Sequence, residues 1–408
     1  MTRIAPQPWM QEPAVAALLA ALATAGIEAR FVGGCVRDAL LDQPIADIDV
    51  ATPALPEAVI AALAAAGIKA VPTGIAHGTV TAVLPPRHFE ITTLRRDVET
   101  FGRRARVAFG ADWQADAARR DFTINAIYLD PDGTIHDPVG GLADLRAAHV
   151  RFVGDPATRI AEDVLRVLRY YRFEARFGGG AGDPAARAAC AAAAPLLQRL
   201  SAERVTGELF RLLALPAPVG ALRMMAEDGI LAAVLPEATR IDRLQRLIDI
   251  ESATPDPLRR LAAVVQADAD GMAAMAARLR LSNAQSDRLA ALAPAPDLMP
   301  PAAGDLRRQR RALARFGPDR YRDLALLAAA DGAIDRHSLD AMLALARSWR
   351  APHFPLSGRD VTALGIATGP RVGRLLAAMR QWWEEGDFAA DRAACLARLR
   401  EIAAAERQ

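Results

Sequence analysis

Residues 31–52 read FVGGCVRDALLDQPIADIDVAT. A short apolar run ends at Gly33-Gly34, a charged helix start follows at Arg37-Asp38, and a second apolar run is interrupted by Asp47 and Asp49. Side chains two apart on a strand share a face, so Asp47 and Asp49 are expected to project together while Ile48 and Val50 enter a core. Two carboxylates on one face repel each other, and such a pair suits a hard cation with oxygen ligands, usually Mg²⁺. The paired glycines offer backbone N–H groups at a helix start, where phosphate oxygens bind. A metal pair beside a phosphate cradle points to phosphoryl or nucleotidyl transfer. Dinucleotide binding is excluded, because the glycines are adjacent rather than set as GxGxxG.

The 408-residue chain is long enough for several domains, and its 52% hydrophobic content supports ordinary cores. No apolar run reaches membrane-spanning length, and the start MTRIAPQPWMQEP lacks the layout of a signal peptide. Cys35, Cys190 and Cys395 are far apart and form no metal pattern, which suits a reducing, cytoplasmic setting. The net charge of +2 says little, but of the 50 basic residues only Lys69 is a lysine. GC-rich coding accounts for that bias; arginine is also the better bidentate phosphate ligand, so RNA binding is not disfavoured.

In chain order, Glu12–Gly26 reads as a helix, Ile27–Val32 as a strand, Cys35–Leu41 as a helix and Ala46–Ala51 as the acidic strand. A helix over Pro56–Ala66 and strands at Ala70–Pro72, Gly78–Leu84 and His88–Leu94 complete a small mixed sheet with helices. Beyond about Val150 the pattern is helix upon helix, including Arg159–Arg176, Asp183–Leu197, Ala202–Leu213 and Val219–Met225. The expected fold class is therefore α+β: a mixed-sheet head followed by an all-α remainder, with a candidate break at Pro216 and Pro218. Seven arginines between Arg307 and Arg322 stand against Asp305, Asp319 and Asp323, forming either a solvated helix face or a strip that tracks an RNA backbone.

Four further stretches carry polar groups that belong with the acid pair. Glu90 in HFEITTLRR faces away from the core, either completing an acidic triad or standing as a surface glutamate. In RRDFTINA, residues 119–126, Phe122 and Ile124 are expected to alternate with Thr123 and Asn125. There Arg120 is placed to hold a triphosphate, with Asp121 and Asn125 at a ribose hydroxyl; a salt-bridged turn is the alternative. HDPVGGLADL, residues 136–145, reads as a structural turn closing the head. EDVLRVLRYYR, residues 162–172, reads as a helix start with Asp163 and Arg166 three apart on one face. That spacing fits an intrahelical salt bridge, or a donor–acceptor array for a nucleobase edge with Arg169 and Arg172 further along.

Together these stretches resemble the class II tRNA nucleotidyltransferase and bacterial poly(A) polymerase superfamily. The matches are GGCVRD with DID, GIAHGTVTAV, EITTLR, RRDFTINA, HDPVGGLADL, EDVLRVLRYYRF and SAERVTGELFRLL, running in order from Phe31 to about Leu213. Leu94 departs from the aromatic common at its position, which affects packing. GIAHGTVTAV and the C-terminal SGRDVTALGIATGPRVGRLL resemble the CCA-adding branch. The resemblance implies a nucleotidyltransferase head (1–150), a helical neck with the base-reading helix (151–216), a helical body (217–300) and an RNA-binding tail (301–408). It implies CCA addition to tRNA from CTP and ATP, with Mg²⁺ on Asp47 and Asp49 and Glu90 as a candidate third ligand. Gly33, Gly34 and Arg37 would cradle the triphosphate. Arg120, Asp121 and Asn125 would hold ribose and phosphates, and Asp163 and Arg166 would read the base, with Arg169 and Arg172 near the nucleotide. A poly(A) polymerase, an enzyme adding only CC or A, and a catalytically silent RNA-binding protein are the alternatives; the oligomeric state is left open.

Overall fold

The computed structural model describes residues 2–101, 104–251, 254–293 and 304–405, with backbone only at 97–101 and 104–107. The chain forms two compact units, Met1–Pro236 and Glu237–Gln408. The expected α+β class holds: one mixed sheet lies in the first unit, and the described residues past the sheet form helices apart from one isolated bridge, Phe122 to Phe152.

The first unit opens with α1 (Pro13–Thr24), where Pro13 occupies the first turn and Leu18 and Leu22 are fully buried. β1 (Arg30–Val32) leads through the glycine pair into α2 (Gly34–Leu40), and β2 (Ile48–Thr52) and α3 (Pro56–Ala65) follow. Next come β3 (Lys69–Gly74), β4 (Thr79–Leu84) and β5 (Arg87–Thr93), then β6 (Arg95–Phe101) and β7 (Arg104–Phe109). After α4 (Trp113–Ala118), the two-residue strands β8 (Tyr128–Leu129) and β9 (Ile135–His136) lead to α5 (Gly141–Arg146). The sheet order is β3-β4-β5-β2-β1-β8-β9, and only β2 and β5 pair parallel. β6 and β7 form a separate hairpin that the sequence pattern did not suggest.

Helices α6 (Pro156–Glu162), α7 (Arg166–Phe177), α8 (Pro184–Ala193) and α9 (Ala202–Leu213) complete this region. Phe122 meets Phe152 at 4.9 Å and Phe173 at 5.0 Å between ring centroids, and Phe152 stacks on Tyr170 at 5.7 Å. Burying such rings stabilises the fold by about 1.5–3 kcal/mol each, enough to lock α7 against the turn at residues 119–126. Leu94 is buried with Val32, Ala51, Ala126 and Tyr128, in keeping with a packing variation.

Three local expectations are corrected. Asp47 lies one residue before the strand, because the parallel ladder starts at Ile48 against Phe89. Residues 123–125 form a single 3₁₀ turn, so Phe122, Thr123, Ile124 and Asn125 are all buried rather than alternating. The helix expected to run continuously over 159–176 breaks at Asp163, whose extended backbone separates α6 from α7.

The second unit is a helical array from Ile241–Ile250 to Arg392–Ala405. Arginine serves its interior: Arg259 joins Glu251 and Asp323 at 3.0 Å each, with all three side chains almost fully buried. In the cluster at 307–322, Arg310 pairs with Asp387 at 2.6 Å and Arg320 donates to the Ala291 carbonyl, while Arg307, Arg308, Arg315 and Arg322 are exposed. The body–tail boundary expected at residue 300 lies outside the described residues.

The glycine pair in HDPVGGLADL has a steric cause. Asp137 accepts hydrogen bonds from the Gly141 and Leu142 N–H groups at 2.7 and 2.9 Å, starting α5 against the 123–125 turn. A Cβ on Gly141 would stand 2.0 Å from the Thr123 carbonyl oxygen. Gly141→Ala is expected to destabilise the fold by about 3 kcal/mol, the upper range for overpacking against backbone, measured as a lowered urea midpoint at unchanged slope.

Candidate active site

The site is built on the parallel pairing of β2 with β5, which sets Asp49 opposite Glu90. Ile48 and Val50 are buried while Asp49 is half-buried, and Asp47 and Glu90 are exposed, so the three acids stand clear of the core. Burial first, then the charges of Glu90 and Asp47, push the Asp49 carboxyl up to about 6, against the opposing pull of Arg120. Among the described residues no three His, Cys, Asp or Glu side chains form a ready-made metal cage. An exposed and a half-buried acid two residues apart match an ion such as Mg²⁺, which takes one or two carboxylates and completes its shell with substrate phosphates and water. The donor set therefore fits a hard divalent cation.

The glycine turn faces the same space. Gly33 holds φ +75°, which L side chains rarely adopt, and a Cβ there would lie 3.8 Å from both Arg120 Nη1 and Asp49 Oδ2. Behind Arg120 stands Asp116, a residue that sequence reasoning missed. At 1% exposure its carboxylate accepts from Arg119, from Arg120 Nη2 at 3.0 Å and from the Tyr128 hydroxyl at 2.7 Å. Burial alone would raise the Asp116 pKa, but the charges of Arg120 and Arg119 hold it below the usual range. The spacing of Asp116, Arg119 and Arg120 at i, i+3 and i+4 was the available signal.

A buried chain of polar contacts runs from the glycine turn to α7. Arg37 donates from Nε to Asp38 at 2.9 Å and from Nη1 to Asn125 at 2.6 Å, with its guanidinium 4.1 Å from the Phe177 ring centre. Asn125 donates to Asp121 at 3.0 Å, and Asp121 accepts from Arg169 Nε at 2.9 Å. Burial would raise Asp121, yet Arg169 and the Asn125 hydrogen bond hold it far below the carboxylate range. Arg37, Asp121 and Asn125 thus spend these groups on one another and shape the cradle from behind; Gly34 lies over them, a Cβ there meeting Arg37 Nη2 at 3.7 Å.

Asp163 and Arg166 do not pair with each other. Asp163 receives Arg204 of α9 at 2.7 Å and the Leu165 N–H at 3.1 Å, while Arg166 pairs with Glu162 and donates to the Arg159 and Arg119 carbonyls at 2.8 and 3.2 Å. The intrahelical salt bridge is thereby replaced by two separately anchored groups, both partly exposed at the break between α6 and α7. Arg172 is bound to Glu208 of α9 at 2.6 Å, and burial lowers its pKa despite that partner.

A mixed sheet carrying paired acids beside a glycine turn, followed by helices, defines a nucleotidyltransferase. The family model for the poly A polymerase head domain matches residues 29–151, and that for the probable RNA- and SrmB-binding site of polymerase A matches residues 183–241. The mitochondrial CCA tRNA nucleotidyltransferase 1 of Mus musculus is 34% identical over 88% of this chain and 84% of its own. The CCA-adding enzyme of Geobacillus stearothermophilus is 42% identical over 54% of each. The crystal structure of the Bacillus stearothermophilus CCA-adding enzyme in complex with CTP superposes at a TM-score of 0.76 with 29% identity, covering 98% of this chain and 99% of that one. The chain belongs to the CCA tRNA nucleotidyltransferase family.

The raised Asp49 has a measurable consequence. Its carboxyl titrates near 6 in the folded protein against 3.8 in an ordinary setting, so ionisation costs stability above about pH 6 and that cost vanishes below about pH 4. Asp49→Asn is therefore expected to raise the metal-free melting temperature at pH 8 and leave it unchanged at pH 4. An equal shift at both pH values would contradict a raised Asp49 pKa.

Proposed function

We propose that this protein adds CCA to tRNA 3′ ends from CTP and ATP without a nucleic-acid template. The observation that carries the reading is Asp49, raised by burial and then by Glu90 and Asp47, and set beside the Gly33 turn with Arg120. Like-charged carboxylates facing an arginine and free of the core suit a site that receives a cation and a triphosphate together. Family membership supplies the substrates.

In the proposed mechanism Asp47 and Asp49 would hold Mg²⁺, with Glu90, opposite Asp49 on β5, as the candidate third ligand. The chemistry such a cation would supply there is a lowered pKa of the terminal tRNA hydroxyl and charge neutralisation on the leaving pyrophosphate. Arg120, held at Nε and Nη2 by Asp116, directs its charge toward the triphosphate, and the Gly33-Gly34 backbone lets phosphate oxygens approach. Arg37, Asn125, Asp121 and Arg169 keep the turn and α7 in register for ribose and phosphate contacts. Asp163 and Arg166 offer acceptor and donors to the incoming base, fixed by Arg204 and Glu162 respectively, with Arg172 further along α7. The head, neck, body and tail divide at about residues 150, 216 and 300 in this reading, and the exposed arginines of the 307–322 cluster follow the tRNA backbone. A cytoplasmic setting is consistent with three buried, unpaired cysteines.

The direct test offers the protein tRNAs ending before CCA and after CC, and an unrelated RNA, with each nucleotide in turn. Addition of C, C and A to the first tRNA is expected; adenylate addition to all three RNAs would favour a poly(A) polymerase. Asp47→Ala and Asp49→Ala are each expected to abolish addition while the fold is kept, since a lost metal ligand removes several kcal/mol of transition-state stabilisation. Near-parental turnover in Mg²⁺ would refute the assignment.

Base choice is a separate matter. Cytosine and adenine both present an amino donor beside a ring acceptor, whereas guanine and uracil place a carbonyl and an N–H there. Asp163→Ala or Arg166→Ala is expected to lower CTP and ATP use and to relax rejection of UTP and GTP, because a polar site rejects mismatches by leaving its own groups unpaired. Unchanged selectivity in both variants would move base reading elsewhere.

A further inference from the structure

Asp47 has an unusual support for a residue of its proposed role. It precedes β2, so no ladder pairing fixes it, and the segment leading to it, Asp42–Ala46, joins α2 to the strand without regular structure. A side-chain anchor of this approach, at its end next to Asp47, comes from β5. Arg87, the first residue of that strand, donates from Nη1 to the Ala46 carbonyl oxygen at 3.1 Å, one residue before Asp47. The rest of its guanidinium is held from behind, because Nε and Nη2 each reach one oxygen of Glu12 at 2.7 Å. Glu12 is the N-cap residue of α1, so its backbone position is set by that helix.

We infer that the Glu12–Arg87 pair is a positioning clamp for Asp47, setting the acid's place relative to Asp49; this rests on the metal-binding reading of Asp47 given above. Three features favour positioning over a plain surface ion pair. The contact is bidentate, using the planar fork that only arginine offers, and its remaining nitrogen is spent on backbone rather than water. Both side chains are partly exposed, at 25% and 34%, where ion pairs add little to stability. Arg87 also senses the Asp47 charge, which places its guanidinium in electrostatic reach of the acid it would steer. An ångström of misplacement at a reacting centre is enough to slow a reaction severely.

The test uses the full chain with Arg87→Ala, Arg87→Lys and Glu12→Gln, with Asp47→Ala run alongside. Arg87→Ala is expected to lower kcat about tenfold with KM for CTP and ATP nearly unchanged. It is also expected to raise the Mg²⁺ concentration giving half-maximal rate, and to weaken Mn²⁺ binding followed by electron paramagnetic resonance. Arg87→Lys should fail to restore these values, since an ammonium cannot span Glu12 and the Ala46 carbonyl in the fork geometry. Glu12→Gln should fall between parent and Arg87→Ala. Melting temperatures of all three should stay near the parent's. Parental kcat and cation dependence in both Arg87→Ala and Glu12→Gln, while Asp47→Ala is inactive, would overturn the clamp alone. Losses that track a fall in melting temperature across the series would also overturn it, assigning the pair to stability. Near-parental turnover by Asp47→Ala would instead remove the metal assignment, and the clamp with it.

Discussion

The chain of hydrogen bonds from Asp38 through Arg37, Asn125 and Asp121 to Arg169 is the contact on which the site depends. Its members come from α2, residues 121–125 and α7, separated by as many as 88 positions between Arg37 and Asn125. A buried guanidinium without partners would be costly, and removing one member of such a chain strands the others. The network therefore ties the glycine turn to the helix break carrying Asp163 and Arg166. The aromatic contacts of Phe122 with Phe152 and Phe173 supply the apolar side of the same joint. Packing brings α7 close, and charge-assisted bonds set its rotation.

On the sheet side the constraint is opposite in sign. The β2–β5 register forces Asp49 beside Glu90, and both charges are uncompensated by a contact ion pair of their own, while Arg120 is drawn back by Asp116. A fold selected for stability alone would place an arginine against Asp49. Here Arg120, beside the Gly33 turn, is held by another acid, which leaves the acids able to accept a cation and the arginine able to face a phosphate.

Much of this was legible because the informative residues are close in sequence. The glycine pair, the two acids and RRDFTINA each carry their meaning within ten residues, and the alternation of Ile48 and Val50 about Asp49 is a local property of strands. What stayed hidden depends on distant partners. Arg204 lies 41 residues from Asp163 and Arg87 lies 75 from Glu12, and no periodicity announces such pairs. The expected continuous helix over 159–176 failed for the same reason: Asp163 answers to Arg204 on another helix, and that contact sits with an extended backbone at the break. In RRDFTINA the alternation of types was real, but the short turn buried both sides of it, since Asn125 finds its partners inside. The β6–β7 hairpin was missed because its strands are rich in charge and lack a clean apolar alternation.

The arginine bias of the composition acquires a divided meaning from these contacts. Buried arginines such as Arg37 and Arg259 work as multivalent struts, each linking two acids or an acid and an amide through the planar guanidinium fork. Arginines that face solvent in the 307–322 cluster differ: Arg308 and Arg322 pair with Asp305 and Asp319, each three residues earlier, and in the proposed reading the charge itself would matter there more than the choice of arginine over lysine. Counting basic residues in the sequence therefore overstates the surface offered to RNA. Asp116 makes the same distinction within the active site: it binds two arginines, yet its geometry leaves one nitrogen of Arg120 beside the Gly33 turn. An arginine can be structural through two of its nitrogens and leave the third for another partner, and in the proposed mechanism that division of one side chain would couple a buried acid to a triphosphate.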